Sequence, residues 1–76
     1  PFNPTTNFVF SIPRTQRVEI RVFNTLGRQV ATLVDDVMSA GRYEVRFDAG
    51  LMASGMYFYR MKTDNFSDVK KMLLLR

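Results

Sequence analysis

The sequence predicts an all-β fold, a small antiparallel sandwich or barrel. Short segments alternate apolar and polar residues with a period of two. Turn-forming residues separate these segments at intervals of about ten residues, and no long helix pattern interrupts them. With 76 residues and 46% hydrophobic content, the chain has apolar material for one thin core and too much for a disordered tail.

The elements follow in order. Pro1-Phe2-Asn3-Pro4-Thr5-Thr6 reads as an extended entry or linker, because proline fixes φ and biases its predecessor towards extended backbone. Residues 1–6 are therefore set apart from a folded unit over 7–76. Asn7 to Ile12 predicts a strand with Phe8, Phe10 and Ile12 on one face, ended by Pro13. Arg17 to Phe23 alternates again, with Val18, Ile20 and Val22 inward and Glu19 and Arg21 outward. Asn24-Thr25-Leu26-Gly27 reads as a hairpin loop in which Gly27 supplies a positive φ.

Residues 28–38 admit two readings. Val30, Leu33, Val34, Val37 and Met38 are spaced as on a helix face. Their β-branched content and the hairpin-type turn before them point to a strand instead. We place a strand over Gln29–Val34, on the turn and on the resemblance described below. Ala40-Gly41 is a turn, and Arg42 to Asp48 alternates with Tyr43, Val45 and Phe47 on one side. After a small-residue loop over 49–55, Met56 to Thr63 alternates Tyr57, Tyr59 and Met61 against Phe58, Arg60 and Lys62. Asp64-Asn65 turns the chain into a last strand, Phe66 to Leu75. A change of parity between Val69 and Met72 predicts a bulge near Lys70-Lys71.

Composition narrows the chemistry. The chain has no His and no Cys, which removes thiol nucleophiles, imidazole bases, N/S-type zinc sites and disulfides. Cysteine absence does not fix the compartment. Asp35-Asp36, Asp64 and Asp68 lack the spacing of a calcium loop, and polar turns account for them. Ser11, Ser39, Ser54 and Ser67 have no His partner, so we expect no enzyme, no metal and no cofactor.

The apolar runs are too short for a membrane helix. A start at Pro1 rather than Met reads as a processed or trimmed product. The net charge of +4 suits several kinds of partner. A single-stranded nucleic-acid binder is one alternative, since Tyr57 and Tyr59 beside Arg60 loosely match a base-stacking strand. Against it, alternating tyrosines belong in a core, and Arg21, Arg46 and Arg60 on polar faces suit pairing with Glu19 and Glu44. We therefore expect no nucleic-acid partner. The segment Lys70-Lys71-Met72-Leu73-Leu74-Leu75-Arg76 is basic, then apolar, then basic. It reads either as an edge strand protected by charge or as a recognition tail captured by strand addition.

Five segments together resemble the type A C-terminal sorting domain of the bacterial type IX secretion system. That domain is itself similar to the Ig-like domain of the flagellar hook-capping protein. The segments are Pro1 to Thr6, Val22 to Val30, Ala40-Gly41, Ala53 to Arg60, and Lys70 to Leu74. They fall in family order along nearly the whole chain, and the basic apolar terminus favours the sorting domain over the hook-capping one. The resemblance implies an Ig-like β-sandwich of seven strands, one more than the alternation marks out. The extra strand is expected in Val34–Met38 or in the entry segment.

The resemblance further implies a non-catalytic signal that directs an upstream cargo through the outer membrane, for secretion or cell-surface attachment. The implied partners are the translocon, sortase components and the cargo domain in the same chain. The implied location is the exterior or cell surface of a Gram-negative bacterium, reached through the periplasm. Lys70, Lys71, Met72, Leu73, Leu74, Leu75 and Arg76 match the recognised part of the signal, and Gly27, Gly41 and Gly55 its turn glycines. A second class remains open: a surface or filament module whose strand Thr6–Ile12 pairs with a neighbouring copy.

Overall fold

The computed structural model describes residues 5–50 and 52–75. Among them lie six strands and no helix: β1 (Thr5–Ile12), β2 (Gln16–Phe23), β3 (Gln29–Met38), β4 (Gly41–Asp48), β5 (Gly55–Lys62) and β6 (Ser67–Leu74). All pairings are antiparallel. β1 and β4 form a two-stranded sheet, and the other four form a sheet of order β3-β2-β5-β6. The two layers make the small Ig-like sandwich that the alternation and the resemblance predict.

Period-two alternation explains how the layers meet. β2 buries every second residue, and Val18, Ile20 and Val22 are at most 2% exposed. Fully burying side chains of this kind contributes about 1.5–3 kcal/mol each. β1 and β4 supply the opposing wall, with Phe10 opposite Tyr43 and Phe8 opposite Val45. Phe8 meets Tyr59 edge-on with ring centroids 4.6 Å apart, and Phe10 stacks on Tyr43 at 5.6 Å. Two buried clusters result: Ile12, Val18 and Ile20 at one end, and Val22, Phe47, Ala49, Tyr57 and Leu74 at the other. Tyr57 and Tyr43 keep their polar tips satisfied, since Tyr57 Oη donates to the Ala53 carbonyl at 2.8 Å and Tyr43 Oη to that of Ser39 at 2.6 Å.

Residues 29–38 are one strand, and the helix-like spacing has a definite cause. The β2–β3 register shifts between Ile20 and Arg21 and again between Val22 and Phe23. Ile20 faces Val34 while Arg21 faces Thr32, so Leu33 is an extra residue, and Val30 is extra by the same count. Each bulge resets the alternation by one, which turns a period of two into spacings of three and four. Because Val34–Met38 continues β3, it is not a separate seventh strand. The alternative location, the entry segment through Pro4, lies outside the described residues.

The bulge expected near Lys70-Lys71 is absent. β5 and β6 pair without a break from Gly55–Leu74 to Lys62–Ser67. Asp68, Lys70, Met72 and Leu74 therefore share the inward parity, and Val69, Lys71 and Leu73 face outward. Asp68 and Lys70 hold inward positions yet stay exposed, unlike Met72 and Leu74 farther along the strand. Lys70 consequently lines an open groove instead of the core.

The β2–β3 loop closes through Asn24. Its backbone N–H donates to the Arg28 carbonyl at 2.9 Å, and its side-chain Oδ1 accepts from the N–H groups of Leu26 and Arg28 at 3.0 Å each. Gly27 sits in this loop with φ of 81°, where a β-carbon meets no neighbour but the backbone itself is strained. Gly27→Ala is expected to cost about 1–2 kcal/mol, and Gly27→Asn less because Asn tolerates this conformation. Urea unfolding midpoints of the two variants test this difference.

Candidate recognition surface

Three features outside the core present chemistry to a partner: the terminal strand, the groove beside it, and the outer face of the larger sheet. Their geometry follows from one asymmetry. A two-stranded layer covers a four-stranded one, so the β6 side of the larger sheet is left partly open.

The terminal segment is divided between two faces. Lys70 and Met72 point towards the opposing layer, and Met72 packs against the core cluster opposite Tyr57. Leu74 is 7% exposed, whereas Leu73 and Leu75 are 63% and 71% exposed. Lys71 faces outward opposite Phe58. Arg76 lies outside the described residues. Of the implied recognition residues, Lys71, Leu73 and Leu75 are thus presented outward, Met72 and Leu74 help to hold the fold, and Lys70 faces the groove. Gly41 and Gly55 begin β4 and β5, and Gly27 lies in the β2–β3 loop.

The groove runs between β1 and β6. Its walls are Phe8, Phe10, Tyr59, Met61 and Phe66, and Asp68 and Lys70 stand at its rim. β1 is hydrogen-bonded on one edge to β4, and its other edge has no strand partner among the described residues. Alternation alone could not locate this groove, because it depends on β1 and β6 coming together from opposite ends of the chain.

The outer face of the larger sheet carries a charge network at its β2–β3 side. Arg17 pairs with Asp35, and Arg21 donates to Glu19 at 2.8 Å and to Asp35 at 3.3 Å. Hydrogen bonding to Glu19, together with the nearby Glu19 and Asp35 charges, raises the Arg21 guanidinium above its ordinary pKa. Arg60 is arranged differently. It lies over the Phe23 ring at 5.1 Å, and its Nε is buried without a hydrogen-bond acceptor from the protein. The expected pairings of Arg46 and Arg60 with Glu19 and Glu44 are not made among the described residues.

The acidic side chains of Asp35, Asp36 and Asp68 are engaged locally. Asp35 is engaged with arginines, while Asp36 and Asp68 accept from the N–H groups of Val37 and Val69 at 2.8 and 3.0 Å. No cluster of three or more acidic side chains forms among the described residues. Tyr57 and Tyr59 point into the sandwich, which denies them to a base-stacking platform. None of the helix-type membrane spans is present among the described residues, a statement that does not extend to strands.

Fold alone does not name a role, since one sandwich architecture hosts many functions. The family model for the secretion system C-terminal sorting domain matches residues 2–75, nearly the whole chain. The chain belongs to that family, the C-terminal sorting domains of type IX secretion, which is not a catalytic family. A search of curated proteins and a search of solved structures each return no match.

Proposed function

We propose that this domain directs an upstream cargo through the outer membrane for secretion or cell-surface attachment. In this reading the entry segment ahead of Thr5, where β1 begins, connects the cargo to the sandwich, and the translocon and then sortase components act on the fusion. The address lies in Lys70 to Arg76. Met72 and Leu74 anchor β6, and Lys71, Leu73 and Leu75 are read. The observation that carries this reading is the family match over residues 2–75. The exposed Leu73 of the edge strand and Leu75 just beyond it support it, because large apolar side chains in such a position cost solubility unless a partner covers them.

The test is a reporter fused to residues 1–76 in a host with type IX secretion. Leu73→Ser with Leu75→Ser is expected to reduce export at least tenfold while the purified domain unfolds within about 0.5 kcal/mol of wild type, as exposed substitutions do. Unchanged export would remove the tail from the reading.

The unpaired edge of β1 supports a second reading, a surface or filament module that assembles by strand pairing. Size-exclusion chromatography over a wide concentration range tests it. A strictly monomeric domain counts against assembly.

A further inference from the structure

We propose that the outer face of the four-stranded sheet docks on an anionic lipid membrane. Charge distribution is the first observation. Arg17, Arg21, Arg60, Lys62 and Lys71 project from this face against Glu19 and Asp35, which places three of the chain's net +4 charges here. The two carboxylates are already engaged by Arg17 and Arg21. Arg60, Lys62 and Lys71 have no ion pair among the described residues, although they sit on adjacent strands.

The second observation is what stands beside these cations. Met56 opposes Leu73, Phe58 opposes Lys71, and Arg60 opposes Val69. Met56, Val69 and Leu73 are 43%, 55% and 63% exposed, large values for apolar side chains on one sheet face. Cations and apolar groups thus interleave along β5 and β6. A protein partner would be expected to seat its anchors in pockets. The depression here is shallow and open, bounded by Phe23, Thr25, Phe58 and Arg60. A bilayer surface needs no pocket. Its phosphates meet the Lys and Arg head groups, and its headgroup–acyl boundary accepts the apolar tips. Arg60 is suited to this because Phe23 holds its guanidinium against the sheet.

The experiment is co-sedimentation of the 76-residue chain with two kinds of vesicle, phosphatidylcholine alone and phosphatidylcholine mixed in equal parts with phosphatidylglycerol. Binding is expected to the anionic vesicles only, and to weaken as salt is raised. Arg60→Gln with Lys62→Gln and Lys71→Gln should lower the partition coefficient on the order of a hundred-fold, since each cation near such a surface contributes roughly five-fold. Lys62→Gln with Lys71→Gln leaves the Arg60–Phe23 contact intact and should lower it roughly twenty-fold. Arg42→Gln, Arg46→Gln and Lys70→Gln change the net charge equally from elsewhere on the molecule and should spare most of the binding. Failure to pellet with anionic vesicles overturns the proposal, as does equal loss in the two triple variants. If no vesicle binding is seen but Arg60→Gln with Lys62→Gln, which leaves the Lys70 to Arg76 segment untouched, blocks export of the reporter, the face serves a protein partner and the lipid proposal falls. The sorting reading survives that outcome.

Discussion

Ile20→Ala is expected to destabilise the domain by about 3 kcal/mol, within the range for deleting a buried isoleucine side chain. Ile20 is 2% exposed and sits in the middle strands of the larger sheet, opposite Val34 on one side and Met61 on the other. It closes a cluster with Ile12 and Val18, against which Phe10, Leu33 and Tyr43 pack. Few neighbours are available to collapse into the space, because the covering layer is only two strands wide. A domain of this size holds roughly 5 kcal/mol in total, so the variant would keep only a fraction of that stability. Each kcal/mol corresponds to about 4–8 °C in Tm at this length, and thermal unfolding followed by circular dichroism should show a fall of at least about 12 °C. Ile20→Val should cost only about 1 kcal/mol. Similar losses in both variants would mean that the site collapses freely.

The second large effect contrasts two adjacent leucines. Leu74 is 7% exposed and packs with Val22, Phe47, Ala49 and Tyr57, whereas Leu73 is 63% exposed on the other side of the strand. Leu74→Ala should cost about 2–3 kcal/mol and Leu73→Ala less than about 0.5 kcal/mol. In the export assay the order of cause differs. Leu74→Ala acts by unfolding the signal, so lowering the growth temperature should partly restore export. Substitutions at Leu73 and Leu75 act on a folded domain, and temperature should not rescue them. Equal stability losses at Leu73 and Leu74 would contradict the β5–β6 register.

Much of this architecture can be read along the chain, and what cannot has physical reasons. The inward residues of β1, β2, β4 and β5 follow from strict alternation, which is the signature of a sheet with one buried face. Gly27 and Asn24 mark their loop because few residues suit its backbone. β3 resists the same treatment, since two bulges against β2 shift its phase twice and imitate a helix. At Lys70, polarity was a poor guide to parity: an inward-facing position at the uncovered border of a sheet can hold a charge. The groove depends on β1 meeting β5 and β6, and the outer face on the pairing of β2 with β5, as at Arg21 and Arg60, which are contacts between strands distant in sequence. Local patterns carry no information about those pairings.

The separation of the strands into two sheets also bears on how the molecule opens. Among the described residues no strand of the β1–β4 pair is hydrogen-bonded to a strand of the other sheet, so the layers meet through side-chain packing and through the links from β1 to β2, β3 to β4 and β4 to β5. The thinner layer can therefore lift away as a cooperative unit while the larger sheet keeps its ladder, a sub-global opening of the kind that native-state hydrogen exchange resolves. Backbone amides in β1 and β4 should exchange at a lower free energy than those in the central strands β2 and β5. In such a lifted state Val18, Ile20 and Val22, buried in the closed domain, would face solvent together on one sheet, an apolar patch of the kind that promotes association.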